Sequence, residues 1–125
     1  MSRLLSMWAA VCWLITPLPA GAEAAVPELV QSKCFKCHRP DLVTEKPHRP
    51  MPLRGVFGKQ ATVVEGGWLW DEAHLRLWLS KPHGGPRQAV RDFTGDPVAK
   101  TTMGFPGLDD SAQIDTVVEF LKHYQ

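Results

Sequence analysis

The chain has 125 residues, enough for one domain, and carries a formal net charge of +1 at pH 7. Its 11 prolines and 10 glycines exclude a large regular core and predict long loops. A domain this small and irregular needs a further source of stability, which its cysteines would have to provide.

Residues 1–24 have the order of a secretory signal peptide. A basic residue precedes an apolar run that ends at Ile15, and small residues follow it. The run is shorter than the roughly 20 residues of a membrane span, which disfavours an uncleaved anchor. Cleavage would leave residues 25–125 as the mature domain, with Cys34 and Cys37 as its cysteines and no transmembrane span. We therefore expect a periplasmic protein, and secretion argues against a nucleic-acid partner.

The first helix is predicted at the start of the mature domain. Pro27 suits a first helical position, and the residues after it continue the helix into Cys34. A single helical turn is expected around residues 34–38. The proline-rich segment 39–59 is predicted to be a loop, and only a weak strand signal follows, at residues 61–64.

Two longer helices are predicted in the second half of the chain. Residues 70–80 begin with acids suited to a first turn and repeat apolar residues at helical spacing until Pro82. The last helix follows N-cap candidates at residues 109–111, and its apolar face begins at Ile114. Residues 81–105 are predicted to form a second long loop. These elements predict an all-α protein.

The segment CFKCH, residues 34–38, is the strongest chemical motif. A redox dithiol would follow a strand, whereas the upstream segment has a helical pattern. A zinc site needs four ligands, and a histidine adjacent to Cys37 is awkwardly placed for one tetrahedral ion. The same spacing lets two thiols form thioethers with the haem vinyl groups, while His38 reaches the iron. We favour haem, and the other two readings stay open.

A second axial ligand would come from a distant part of the chain. The candidates are Met51, Met103, His48, His74, His83 and His123. Met103 is preferred because extended backbone between Pro97 and Pro106 can present its thioether to the iron. Met51 lies close in sequence to His38 and is therefore expected on the proximal side.

The chain resembles the class I cytochrome c family. The resemblance rests on CFKCH, PLRGVFG, WDEAHLRLWLSKP and TTMGFPGL in that order, and it covers most of the mature sequence. It implies the class I cytochrome c fold, in which short helices and long loops wrap around one covalently attached haem c with its iron.

The resemblance also implies a role for individual residues. Cys34 and Cys37 would form the thioethers, His38 would be the proximal axial ligand and Met103 the distal one. Met51 falls closest to the position of a family proline whose carbonyl accepts a hydrogen bond from the proximal histidine.

Two tryptophans would pack against the haem. Trp70 matches the family's tryptophan near the buried propionate, and Trp78 matches the aromatic residue beside the methionine ligand. The segment HGGPRQAVRDFTGD, residues 83–96, makes the stretch before Met103 longer than in mitochondrial forms, and it could cover one haem edge.

The function that follows is one-electron transfer by a soluble periplasmic carrier that is not an enzyme. Seven basic residues around the haem motif could steer an acidic surface of a dehydrogenase or a terminal oxidase; they are Lys33, Lys36, Arg39, Lys46, Arg49, Arg54 and Lys59. The alternatives are a haem subunit of a larger dehydrogenase or oxidase complex, a ligand-binding sensor or peroxidase-like protein without the Met103 bond, and a haem-free thiol protein.

Overall fold

A computed structural model describes residues 25–65 and 67–125, together with Leu14. The predicted signal peptide, with its cleavage site, lies outside the described residues except for Leu14. In the described part, no helix has both the length and the apolar character needed to cross a membrane.

Four α-helices form the regular structure of the described residues. They are α1, Glu28–Lys33; α2, Glu72–Leu79; α3, Gly85–Thr94; and α4, Ser111–His123. A 3-10 turn at Lys81–His83 joins α2 to α3. Residues 25–65 and 67–125 contain no strand, only the isolated bridges Gln60–Leu69 and Ser80–Leu108. The prediction of an all-α fold is therefore confirmed, and the weak strand signal at 61–64 is wrong.

Aspartates cap the N-termini of α2 and α4. The Asp71 carboxylate accepts a hydrogen bond from the His74 backbone N–H at 2.9 Å. The Asp110 carboxylate accepts one from the Gln113 backbone N–H at 2.8 Å. Each bond satisfies a backbone donor that has no partner within its helix, so the cap fixes where the helix begins.

The core lies where α1 and α2 pack against α4. The buried side chains of these helices include Val30 from α1 and Leu75 and Leu79 from α2. The apolar face of α4 buries Ile114, Val117, Val118, Phe120 and Leu121, the face that its sequence period predicts. The α1–α4 contact continues past the helix, since the rings of Phe35 and Phe120 meet edge to face at 6.4 Å.

The prediction of a continuous loop over residues 81–105 is wrong. The Gly84-Gly85-Pro86 segment indicated a loop, but proline is compatible with a helical first turn, and α3 begins there. Ala89 and Val90 are buried, so packing against the core stabilises a helix of modest intrinsic propensity. The first predicted loop, 39–59, contains no helix or strand and is confirmed.

Candidate functional site

The CFKCH motif forms a tight turn at the C-terminal end of α1. The Cys34 backbone N–H donates to the Val30 carbonyl at 2.9 Å, which ends the helix. The Cys34 carbonyl then accepts from the backbone N–H groups of Cys37, at 3.2 Å, and His38, at 2.9 Å. This turn confirms the predicted helical turn and holds both thiols and the imidazole within one short segment.

Neither Cys34 nor Cys37 forms a disulfide in the described structure. Cys34 is partly buried, and this burial raises the pKa of its thiol to about 11, whereas Cys37 is exposed. Within residues 25–65 and 67–125, no three His, Cys, Asp or Glu side chains cluster closely enough to hold a metal ion.

The His38 imidazole is oriented by the loop that follows it. Its Nδ1 lies 2.7 Å from the Met51 carbonyl oxygen, which can only accept a hydrogen bond. Nδ1 therefore carries the proton, and the lone pair is on Nε2, the atom that a metal could bind. The family resemblance places Met51, which lies between two prolines, closest to the position of this acceptor. The structure shows that the Met51 carbonyl accepts the hydrogen bond.

The Met103 sulfur is held by α2. The Trp78 indole Nε1–H donates to Met103 Sδ at 3.3 Å, and Trp78 itself is only 5 % exposed. The chain after Met103 is tied to the end of the same helix: the Leu108 N–H donates to the Leu79 carbonyl at 2.6 Å. Trp78 therefore contacts Met103 directly, and its role beside a haem stays a prediction.

The other candidates for a distal ligand lie elsewhere. His48 and His83 are exposed. His74 Nδ1 is 2.8 Å from an Asp71 carboxylate oxygen, and exposed His123 contacts Glu119 through Nε2. Met51 serves His38 through its carbonyl, which leaves Met103 as the methionine held by a different element.

Three tryptophans form one aromatic cluster beside Met103. Trp70 and Trp78 meet edge to face at 4.9 Å, and Trp68 lies 5.3 Å from Trp70 and 5.7 Å from Trp78. The Trp68 ring also packs on Phe93 of α3 at 4.8 Å. Trp68 was not predicted to be a site residue. It lies two residues before Trp70, a spacing that in extended backbone places both side chains on the same face and could have indicated its role.

Two buried indole groups of this cluster are without acceptors. Trp68 Nε1 and Trp70 Nε1 are inaccessible to solvent and have no hydrogen-bond partner in the described structure. Buried indole N–H groups nearly always find an acceptor, so a missing group with acceptor atoms is expected at this cluster.

These observations fit a covalently attached haem. The thiols of Cys34 and Cys37 share a turn with an imidazole whose Nε2 is available, and a soft thioether is presented by a separate element. Cys34, Met51 and Met103 are all partly buried against the same core. The orphaned indoles suit the carboxylates that haem carries at its edge.

Relatives of known identity agree with this geometry. Cytochrome c2 of Rhodospirillum rubrum is 30% identical over 129 aligned residues, which cover 93% of this chain and 91% of that protein. The chain belongs to the class I cytochrome c family. A second cytochrome c2 sequence from Rhodospirillum rubrum is 30% identical over 113 residues, covering 80% of this chain and 96% of the relative. Cytochrome c of Nigella damascena is 27% identical over 108 residues, covering 83% and 91%. No family model matches the chain.

This cytochrome c has a tryptophan as the donor to its methionine sulfur. The indole of Trp78 brings one N–H on a large apolar ring, so the donor is buried together with a broad packing surface. The neighbouring Trp68 and Trp70 complete a wall of three indoles on that side of the site.

Proposed function

We propose that this cytochrome c is a periplasmic electron carrier with one haem c, attached through Cys34 and Cys37 and ligated by His38 and Met103. The observation that carries the proposal is the hydrogen bond from His38 Nδ1 to the Met51 carbonyl, because it prepares Nε2 as a ligand. The family membership and the secretory pattern of residues 1–24 support the electron-transfer role and the compartment.

His38 acts as a fixed donor to the iron. The Met51 carbonyl keeps the proton on Nδ1 and prevents the ring from turning, and it increases the basicity of Nε2. When bound, the haem supplies an iron that exchanges one electron between its ferric and ferrous states. An imidazole held by this bond would keep the reorganisation of the site small.

Met103 favours the reduced state. A thioether is a soft, weak donor, and the Trp78 N–H draws electron density from the same sulfur. With haem bound, this weaker donation would favour ferrous over ferric iron. The surrounding apolar residues, among them Leu79 and Trp70, are buried and act in the same direction by opposing the extra positive charge of ferric iron.

Two protein ligands would leave the iron no open position for a substrate. This is the reason for proposing a carrier rather than an enzyme. An absorption experiment on protein exported with working haem attachment tests it. A low-spin reduced spectrum that carbon monoxide does not change is the expected result. Rapid carbon monoxide binding by the unmodified protein would instead favour the sensor or peroxidase-like alternative.

The surface around CFKCH suits an acidic redox partner. Lys33, Lys36 and Lys46 are exposed, and no ion pair engages them in the described part of the chain. The positive charges of Arg39 and Lys59 are instead compensated by Asp41 and Glu45. These unpaired ammonium groups, two of them within four residues of the exposed Cys37, would steer an acidic surface of a dehydrogenase or oxidase through a weak, salt-sensitive contact.

Charge removal tests this docking surface. Lys36→Gln is expected to slow electron transfer to an acidic partner about two- to fivefold at low ionic strength, because one exposed charge contributes modestly. Arg87→Gln on α3, where the side chain is also exposed, is the matched control and should have a smaller effect. Stopped-flow rates should fall as salt is added, and salt-independent rates would contradict the steering.

A further inference from the structure

Trp68 has a donor group that the proposed ligand set does not use. Its indole Nε1–H is buried and has no acceptor among the described residues. Leaving such a group unsatisfied costs about 1–3 kcal/mol, so the native protein is expected to provide an acceptor.

The backbone places Trp68 on the same face as Trp70. Leu69, the residue between them, pairs with Gln60 in an isolated antiparallel bridge and is 54% exposed. In extended backbone, side chains two residues apart project to the same side. Both tryptophans therefore point away from the exposed Leu69 side, and their rings meet edge to face at 5.3 Å.

The nearby protein groups do not satisfy this N–H. A cavity of about 470 Å³ opens beside Trp68 and is lined in part by Glu65 and Asp96, yet neither carboxylate accepts from Nε1. The cavity is open to solvent, whereas Nε1 is inaccessible, so the N–H does not open onto this cavity. The Trp68 ring also contacts Trp70 and Trp78, at centroid distances of 5.3 and 5.7 Å.

We propose that Trp68 donates a hydrogen bond to a haem propionate, so that two indoles, Trp68 and Trp70, hold the acidic edge of the haem. The proposal rests on the proposed function. The two propionate carboxylates are the strong hydrogen-bond acceptors of a haem, and they are anionic, which makes an N–H bond to them stronger than one to a neutral group. The Trp68 ring is fixed by Phe93 of α3, so the longer segment before Met103 contributes to this positioning.

Removing the N–H while keeping an aromatic ring tests the assignment. In Trp68→Phe, the resonance Raman bending band of the propionates is expected to shift in the direction of a weaker hydrogen bond. The midpoint potential is expected to shift downward, because a less compensated propionate charge favours ferric iron. Phe93→Leu loosens the packing of the same ring without removing an N–H, and it should shift the propionate band less than Trp68→Phe does. Trp68→His keeps a ring N–H, so its propionate band should lie between the positions of the wild-type and Trp68→Phe bands.

The outcomes separate this proposal from the proposed function. Trp70→Phe serves as the comparison, since its indole N–H is also buried without a partner. If Trp70→Phe shifts the propionate band and Trp68→Phe does not, the proposed role of Trp68 is overturned, whereas the proposed function is not. An equal shift in Phe93→Leu would also overturn it, because packing would then be the cause. If the wild-type protein has no thioether-linked haem by the pyridine haemochrome assay, the proposed function fails as well.

Discussion

Gly85 is the first residue of α3, at the point where the helix touches the segment that follows Met103. Its φ is +63°, a left-handed conformation that residues with a side chain rarely adopt. A Cβ built at Gly85 would lie 2.6 Å from the Pro106 carbonyl oxygen, closer than van der Waals contact allows. Gly85→Ala should therefore strain the start of α3 and push the Met103 segment away from α2.

Gly95 provides a matched control for this substitution. Its φ is +67°, similar to that of Gly85, but a Cβ there would meet nothing within 4 Å. Gly95→Ala should lower the free energy of unfolding by about 1 kcal/mol, from the left-handed conformation alone. Gly85→Ala adds the cost of overpacking against backbone and should lower it by about 2–4 kcal/mol.

Two assays separate the stability effect from the effect on the ligand. Urea unfolding followed by circular dichroism gives the free energies, and carbon monoxide binding to the reduced protein reports how firmly Met103 is held. Gly85→Ala should be the less stable variant and should bind carbon monoxide faster than Gly95→Ala. Equal stability and equal carbon monoxide binding in the two variants would refute the packing of Gly85 against Pro106.

Two further predictions concern single side chains. Trp78→Phe removes the hydrogen-bond donor to Met103 Sδ, so the midpoint potential should fall by about 40 mV in a spectroelectrochemical titration. The figure follows because a net hydrogen bond contributes about 1 kcal/mol, and a tenfold change in a one-electron equilibrium corresponds to about 59 mV. An unchanged potential would mean that this bond does not influence the iron. Hydrogen bonds from the Lys122 ammonium and the Arg76 guanidinium hold the pKa of Glu72 below its ordinary value. The ionised Glu72 therefore stabilises the fold at pH values above its ordinary pKa, and this stabilisation is lost as the pH falls through the lowered pKa. Glu72→Gln should lower the Tm at neutral pH, and the difference should vanish in acid; a difference that persists in acid would contradict the ion-pair account.

The helices with local signals could be predicted from the sequence. In α4, the cap at Asp110 and the apolar period from Ile114 both lie within a few residues, and local rules describe them well. The start of α1 and the turn of CFKCH are similarly local. The ligand candidates follow from chemistry and from the family resemblance, and the contact between Trp78 and Met103 agrees with it.

The remaining features depend on contacts between distant segments. The helix α3 begins with Gly-Pro, which reads locally as a loop, and it is stabilised by burying Ala89 and Val90 against the core. The identity of the His38 acceptor required the fold of the 39–59 loop, because Pro50, Met51 and Pro52 all offer carbonyls. The spacing of Trp68 and Trp70 is local, but the burial of the Trp68 N–H without a partner depends on packing between distant segments.

A comparison of two methionine variants tests the ligand assignment most directly. Met103→Ala and Met51→Leu are prepared with haem attached, and carbon monoxide is added to each reduced protein. The account predicts that Met103→Ala binds carbon monoxide readily, because the distal ligand is lost. Met51→Leu should keep the low-spin spectrum, because His38 uses only the backbone carbonyl at that position. A low-spin spectrum unchanged by carbon monoxide in Met103→Ala would contradict the account.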